Sequence, residues 1–163
     1  MGLALQFRRM CHDDLKAIDD WFDDVAVQQF IGERGWASDV LAVATRERLE
    51  EGTFHREVDV ATVDGAAVAL VDIEVYVDGW AAMTTLVDPG RRRQGVAREC
   101  LQFAIGVARE HGAARITAFV ELDNAPSIKL LESLGFVSHP GSSEGEHSWS
   151  LDLHSLSLSP PTD

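Results

Sequence analysis

The chain is short of most features that would mark a special environment. Its 163 residues include two cysteines, Cys11 and Cys100, which make no disulfide framework and have no metal-ligand spacing. The six histidines follow no ligand pattern, so no metal site is expected. No apolar run approaches the length needed to cross a bilayer, and no membrane partner is expected. The first residues reach Arg8-Arg9 without a signal-peptide apolar stretch, so the expected location is cytoplasmic. Positive charge is scarce: 14 Lys and Arg stand against 27 Asp and Glu, a formal net charge of −13. That balance argues against nucleic acid, whose affinity rests on neutralising phosphates. It suits a cationic partner such as an amine, although solubility alone would give the same composition.

What is present reads as one soluble globular domain over residues 1–154, with 155–163 as a flexible tail. Hydrophobic residues make up 45% and charged residues 25%, ordinary for that class. Gln6 to Met10 reads as a strand. His12-Asp13-Asp14 supplies an N-cap and first-turn acids for a helix whose stripe is Leu15, Ile18, Phe22 and Val25. Ser38 is placed to cap a second helix through Leu41, Ala44 and Leu49, stopped by Gly52. Period-two alternation then takes over. Val58, Val60 and Thr62 lead to an Asp64-Gly65 hairpin, Ala66 to Val77 returns, and Asp78-Gly79 turns the chain into Trp80 to Val87. Asp72, Glu74 and Tyr76 share one face of the return strand.

The densest stretch is Leu86-Val87-Asp88-Pro89-Gly90-Arg91-Arg92-Arg93-Gln94-Gly95-Val96-Ala97. Proline ends the strand because it has no N–H to donate, and a helix starts at about Gln94. Ala97, Cys100, Leu101, Ala104, Ile105 and Ala108 line its inner face. A helix start offers free N–H groups and a positive dipole end to an anion. Cations there are disfavoured by roughly 0.3–1 kcal/mol each, so three arginines fit a multiply phosphorylated ligand. A solvated basic turn would look much the same, and spacing alone leaves both readings open. Arg115 to Val120 follows as a strand parallel to Trp80–Val87, reached by a right-handed crossover. Asn124 then caps a helix ending at Leu134-Gly135-Phe136, and Trp149 to Leu153 is a final strand.

Two of these segments carry a resemblance. Arg92-Arg93-Gln94-Gly95-Val96-Ala97 matches Gln/Arg-x-x-Gly-x-Gly/Ala, and Asn124 through Phe136 matches an asparagine-led helix closing on Leu-Gly-Phe. In that order, on those elements, the chain resembles the GNAT superfamily of N-acetyltransferases, most closely over Ala66 to Phe136. The resemblance implies an α/β (α+β) fold, with a mixed, mostly antiparallel sheet of about six or seven strands splayed at a cofactor site and flanked by helices. It implies acetyl-CoA (coenzyme A) as co-substrate. Leu86 and Val87 would pair with the pantetheine arm. The amides of Arg92, Arg93, Gln94, Gly95, Val96 and Ala97, with Arg98, would hold the pyrophosphate, and Asn124 and Ser127 would contact the pantetheine end.

The implied reaction is direct attack of a primary amine on the thioester through a tetrahedral intermediate, with the Val87 N–H as oxyanion donor. The acceptor would be a small cationic amine, aminoglycoside- or polyamine-like, or a peptide N-terminus, and the protein a monomer or homodimer. Glu74 and Asp72 are candidates for the base that deprotonates the amine, though alternate carboxylates on a strand also mark its solvent side. Many relatives carry a tyrosine five residues before the Phe of Leu-Gly-Phe. Here that position is Leu131, and Tyr76 is the single tyrosine. The missing hydroxyl keeps a second reading open, a non-catalytic acyl-CoA-binding or regulatory module. A P-loop ATPase is disfavoured because no Gly-Lys-Ser/Thr follows the arginines.

Overall fold

A computed structural model describes residues 2–140 and 145–154; the tail expected at 155–163 lies outside them. The strands are β1 (Gln6–Arg9), β2 (Thr53–Val63), β3 (Ala66–Tyr76), β4 (Trp80–Val87), β5 (Arg115–Glu121), β6 (Val137–Pro140) and β7 (Glu146–Asp152). The helices are α1 (Leu15–Asp20), α2 (Val25–Phe30), α3 (Trp36–Ala44), α4 (Val96–Glu110) and α5 (Ala125–Ser133). One seven-stranded sheet runs in the order β1-β2-β3-β4-β5-β7-β6. Every neighbouring pair is antiparallel except β4 and β5, which α4 joins by a crossover.

The long β2–β3 hairpin follows from its turn. Asp64 at φ 50° and Gly65 at φ 83° supply the two positive φ values that a tight two-residue hairpin requires. Alternation along β3 then sorts its side chains into two cores. Val71, Ile73 and Val75 pack with Cys100, Leu101 and Ala104 of α4. Leu70, with Val58 and Val60 of β2 and Leu86 of β4, packs under Ile18, Trp21, Phe22, Val40 and Leu41 from the first helices. Ile18 and Phe22 are fully enclosed, each worth about 1.5–3 kcal/mol of burial. Cys100 is a core residue, and burial pushes its thiol up to about 12.

The N-terminal third departs from its periodicity. The expected stripe Leu15-Ile18-Phe22-Val25 breaks after Asp23, and Val25 is 76% exposed. Asp24 is extended at ψ 131°, and its Oδ1 accepts the Ala26 and Val27 N–H groups at 3.0 and 3.1 Å. That cap starts a new helix in a new phase, so Val27 is buried in place of Val25. The next helix is N-capped by Gly35, not Ser38. It stops at Ala44, where the Thr45 hydroxyl donates to the Leu41 carbonyl at 2.8 Å, and does not continue to Leu49. Gly52, at φ 86°, instead turns the chain into β2, in a turn closed by the Thr53 N–H on the Glu50 carbonyl at 3.0 Å. The strand β6 was not anticipated, and Val77 lies beyond the end of β3. Among the described residues, no helix is long and apolar enough to cross a membrane.

Candidate functional site

The sheet opens between β4 and β5. They pair only at Trp80–Ala82 with Arg115–Thr117, while β4 stays paired to β3 up to Val87 opposite Ala69. From Met83 onward the other edge of β4 therefore has no strand partner. Strand N–H groups alternate sides. Since the Asp88 N–H donates to the Val68 carbonyl of β3 at 2.9 Å, the Leu86 N–H faces β3 and the Val87 N–H faces the opening. Of the two strand residues expected to offer backbone groups to a ligand, Val87 is the one whose amide is free to do so.

The loop after β4 is wound to present its amides. Asp88 Oδ1 accepts the Gly90 N–H at 2.9 Å, and the Asp88 carbonyl accepts the Arg91 N–H at 2.8 Å. Arg93 then sits at φ 61°, a left-handed conformation costing a non-glycine residue roughly 1–2 kcal/mol. Gly95 follows at φ 82° as the N-cap of α4. No side chain caps this helix, so its first N–H groups, at Val96, Ala97 and Arg98, have no intrahelical acceptor. A Cβ built on Gly95 meets no atom within 4 Å, so it would project into open space.

These groups border one cavity of about 840 Å³. Leu86, Val87, Arg92, Arg93, Gly95, Val96, Ala97, Arg98, Asn124 and Ser127 all line it; Gln94 does not and instead turns its amide toward the Gly90 carbonyl at 3.5 Å. Asn124 stands at the N-cap of α5 but its side chain caps nothing, contrary to the sequence expectation. Pro126 at the second helical position has no N–H to offer, and the cap backbone is not extended at ψ 67°. The Asn124 amide is thereby left toward the cavity. The half-buried Ser127 hydroxyl has no protein partner among the described residues.

The arginines divide. Arg92 is held by Asp24 through two contacts of 2.6 and 3.1 Å, and this guanidinium is what chiefly draws the Asp24 carboxyl below its usual range. Arg98 donates to Ser133 Oγ at 2.7 Å. Arg91 and Arg93 line the cavity and make no ion pair among the described residues.

The proposed bases lie elsewhere. Asp72 and Glu74 share a face of β3, as alternation required, but neither lines the cavity. Arg56, across on β2, pairs with Asp72 at 2.8 Å and Glu74 at 3.7 Å. Glu74 also accepts from Thr53 Oγ1 at 2.7 Å and from the Tyr76 hydroxyl at 3.1 Å. Burial raises the Asp72 carboxyl against the opposing pull of Arg56. Burial, with Glu74 beside it, pushes the Tyr76 phenol up to about 12, and this tyrosine does not reach the cavity either.

Several lining residues had no sequence signal. Phe30, Ile31 and Trp36, from the end of α2 and the start of α3, form an apolar part of the lining; their placement depends on the break at Asp24. Thr85 lines the cavity, and its Oγ1 is buried without a partner among the described residues. Leu131 is buried and also lines it. The carboxylates on the lining are Glu121 and Asp123, both exposed, with Asp123 accepting from Gln29 at 3.0 Å.

Comparison with known proteins agrees with this geometry. Residues 15–136 match the family model described as the acetyltransferase (GNAT) family. A [ribosomal protein bS18]-alanine N-acetyltransferase of Escherichia coli K12 is 35% identical over 75 residues, 46% of this chain and 51% of that protein. The chain thus spans about half the length of the curated relatives it matches. The crystal structure of the Escherichia coli ribosomal-protein-S18-alanine N-acetyltransferase superposes with a TM-score of 0.67 at 24% identity, covering 92% of this chain and 94% of the other. The structure of an acetyltransferase from Salmonella typhimurium, solved with its cofactor acetyl-CoA, superposes at 0.68 with 20% identity, covering 92% and 94%. With its seven-stranded mixed sheet opened between β4 and β5 and its family match over most of its length, the chain belongs to the GNAT acetyltransferase family.

Proposed function

We propose that the chain is an acetyl-CoA-dependent N-acetyltransferase whose acceptor is the α-amine of a peptide N-terminus. One observation carries the reading: residues of both motifs and the free edge of β4 border a single cavity. The loop fits an anionic cofactor. Uncapped amides, left-handed backbone at Arg93 and Gly95, and open space above Gly95 are what a pyrophosphate needs, and none is explained by packing. Arg91, Arg93 and Arg98 add charge, and Arg92 adds more once it leaves Asp24. Acetyl-CoA supplies the activated acyl group. The Val87 N–H, on the free edge of β4, stabilises the developing oxyanion in this reading, a donor worth about 2.7–4 kcal/mol in comparable sites. Asn124 and Ser127 orient the other end of the ligand.

The choice of acceptor rests on proton chemistry. An alkylammonium of pKa about 10.4 is only ~0.04% free base at pH 7, whereas an α-amine at about 7.7–8.0 is roughly a tenth deprotonated. An α-amine suits a cavity that Asp72 and Glu74 do not line. The named activity of the Escherichia coli relative points the same way. The net charge of −13 favours a second acceptor class, small polycationic amines. If either carboxylate takes part, it does so through water from the Arg56 cluster.

Matched acceptors test this. A short peptide with a free α-amine and acetylated lysines should be turned over at neutral pH. The same peptide with a blocked α-amine and free lysines should be at least about tenfold slower, with a rate that climbs up to pH 9. Equal rates for the two at pH 7 would overturn the α-amine assignment, and a superior polyamine would move it to the second class.

A further inference from the structure

We propose that His55, Glu57 and His111 form a binding site for one divalent transition-metal ion of the zinc class, tying β2 to the C-terminus of α4. The histidines follow no metal-ligand spacing in the sequence, but folding brings two of them together. Period two along β2 puts His55, Glu57 and Asp59 on one face, and His111 arrives from the C-cap of α4. One nitrogen or oxygen from each of His55, Glu57 and His111 lies within 4.8 Å of the others. His55 Nε2 is 2.5 Å from Glu57 Oε2, and the two imidazole rings lie 3.7 Å apart.

Three details favour a cation. His111 Nδ1 is 3.0 Å from the Val107 carbonyl; as a donor there it leaves Nε2 as a free lone pair, and this backbone support is the usual one for metal-binding histidine. Asp59 is buried, and its Oδ2 has no hydrogen-bond partner among the described residues. Its other oxygen accepts from Arg9 at 2.8 Å, and both Glu57 oxygens accept from the same guanidinium at 2.7 and 2.8 Å, so one guanidinium serves two enclosed carboxylates and an ion would share Glu57 Oε2 with it. A second positive charge would balance them, and the C-terminal end of α4 favours a cation as well. Tetrahedral zinc with ligands at about 2.0–2.1 Å needs its ligand atoms about 3.3 Å apart. The rings lie nearly parallel, 12° apart, so they must tilt out of their stack to aim one nitrogen each at a single ion. Both have room: the His55 side chain is 25% exposed, and His111 is half-buried at a helix end.

The test uses the tag-free full chain, stripped with chelator and titrated with zinc chloride by calorimetry. The expected result is one zinc per chain, with affinity falling at least tenfold in His55→Ala and in His111→Ala and unchanged in His12→Ala, an exposed histidine outside the cluster. Circular dichroism checks that the variants fold. If either does not, the wild-type protein loaded with cobalt decides: a tetrahedral d–d spectrum lost on adding zinc supports the site. No saturable binding, equal affinity in the His55→Ala/His111→Ala double variant, or a melting temperature that responds to pH but not to zinc would each overturn it.

Discussion

Gly95 and Arg93 show how much of the site is decided by single backbone angles. Both are left-handed, at φ 82° and 61°, and both line the one cavity. Glycine is favoured at the first of these because its φ is positive and because a side chain would enter the ligand's space. Gly95→Trp is therefore expected to abolish acetyl-CoA binding while the far-ultraviolet circular dichroism stays native; unchanged affinity by calorimetry would remove the loop from the site. A different residue governs acid stability. Asp14 accepts two hydrogen bonds from Arg8 at 2.8 and 2.7 Å and one from the Cys11 N–H at 2.9 Å, and Arg8 foremost holds its carboxyl below the usual range. A depressed carboxyl contributes stability that is complete above its unfolded pKa of about 3.9 and fades as pH falls through the folded value. Asp14→Asn should cost about 1 kcal/mol at neutral pH, the exposure of Arg8 keeping the figure low. In urea melts that difference should shrink progressively as pH falls below about 4.

At the scale of elements, β4 is the hinge of the functional reading because its two edges do different work. One edge is laddered to β3; the other leaves β5 after Ala82. Val87→Pro removes the N–H that faces the opening and no ladder bond, so the fold should survive while turnover falls about 10²–10³-fold. Full turnover in a folded Val87→Pro protein, measured by thiol release, would exclude that amide as oxyanion donor. The run from β3 through α4 to β5 was legible in the sequence because each boundary has a local cause: Asp-Gly turns, Pro89, and the small and apolar inner face of α4. The first helices were not, because Asp24 resets the helical phase and Thr45 ends α3 early, and both act through side-chain hydrogen bonds that leave hydropathy unchanged. The alternation of Asp72 and Glu74 was readable too. Their capture by Arg56 was not, since it depends on the register of β2 against β3. The meeting of His55 with His111 was hidden for the same kind of reason, one lying on a strand and the other at a helix end.

For the molecule as a whole, two cores on opposite faces of one sheet hold the two halves of the candidate site. The core around α4 fixes the arginine loop and the start of the helix. The core under α1 to α3 carries the wall of Phe30, Ile31 and Trp36. Asp24 joins them, capping α2 and pairing directly with Arg92 of the arginine loop. On the proposed function, this shared cavity transfers an acetyl group and does not merely hold acetyl-CoA. The most direct measurement follows released CoA thiol from acetyl-CoA with a panel of peptides and amines, with mass spectrometry of the acceptor. The expected result is one thiol released per acetylated α-amine, abolished by Gly95→Trp. Saturable acetyl-CoA binding with no thiol released for any acceptor would contradict it and leave a non-catalytic acyl-CoA-binding module.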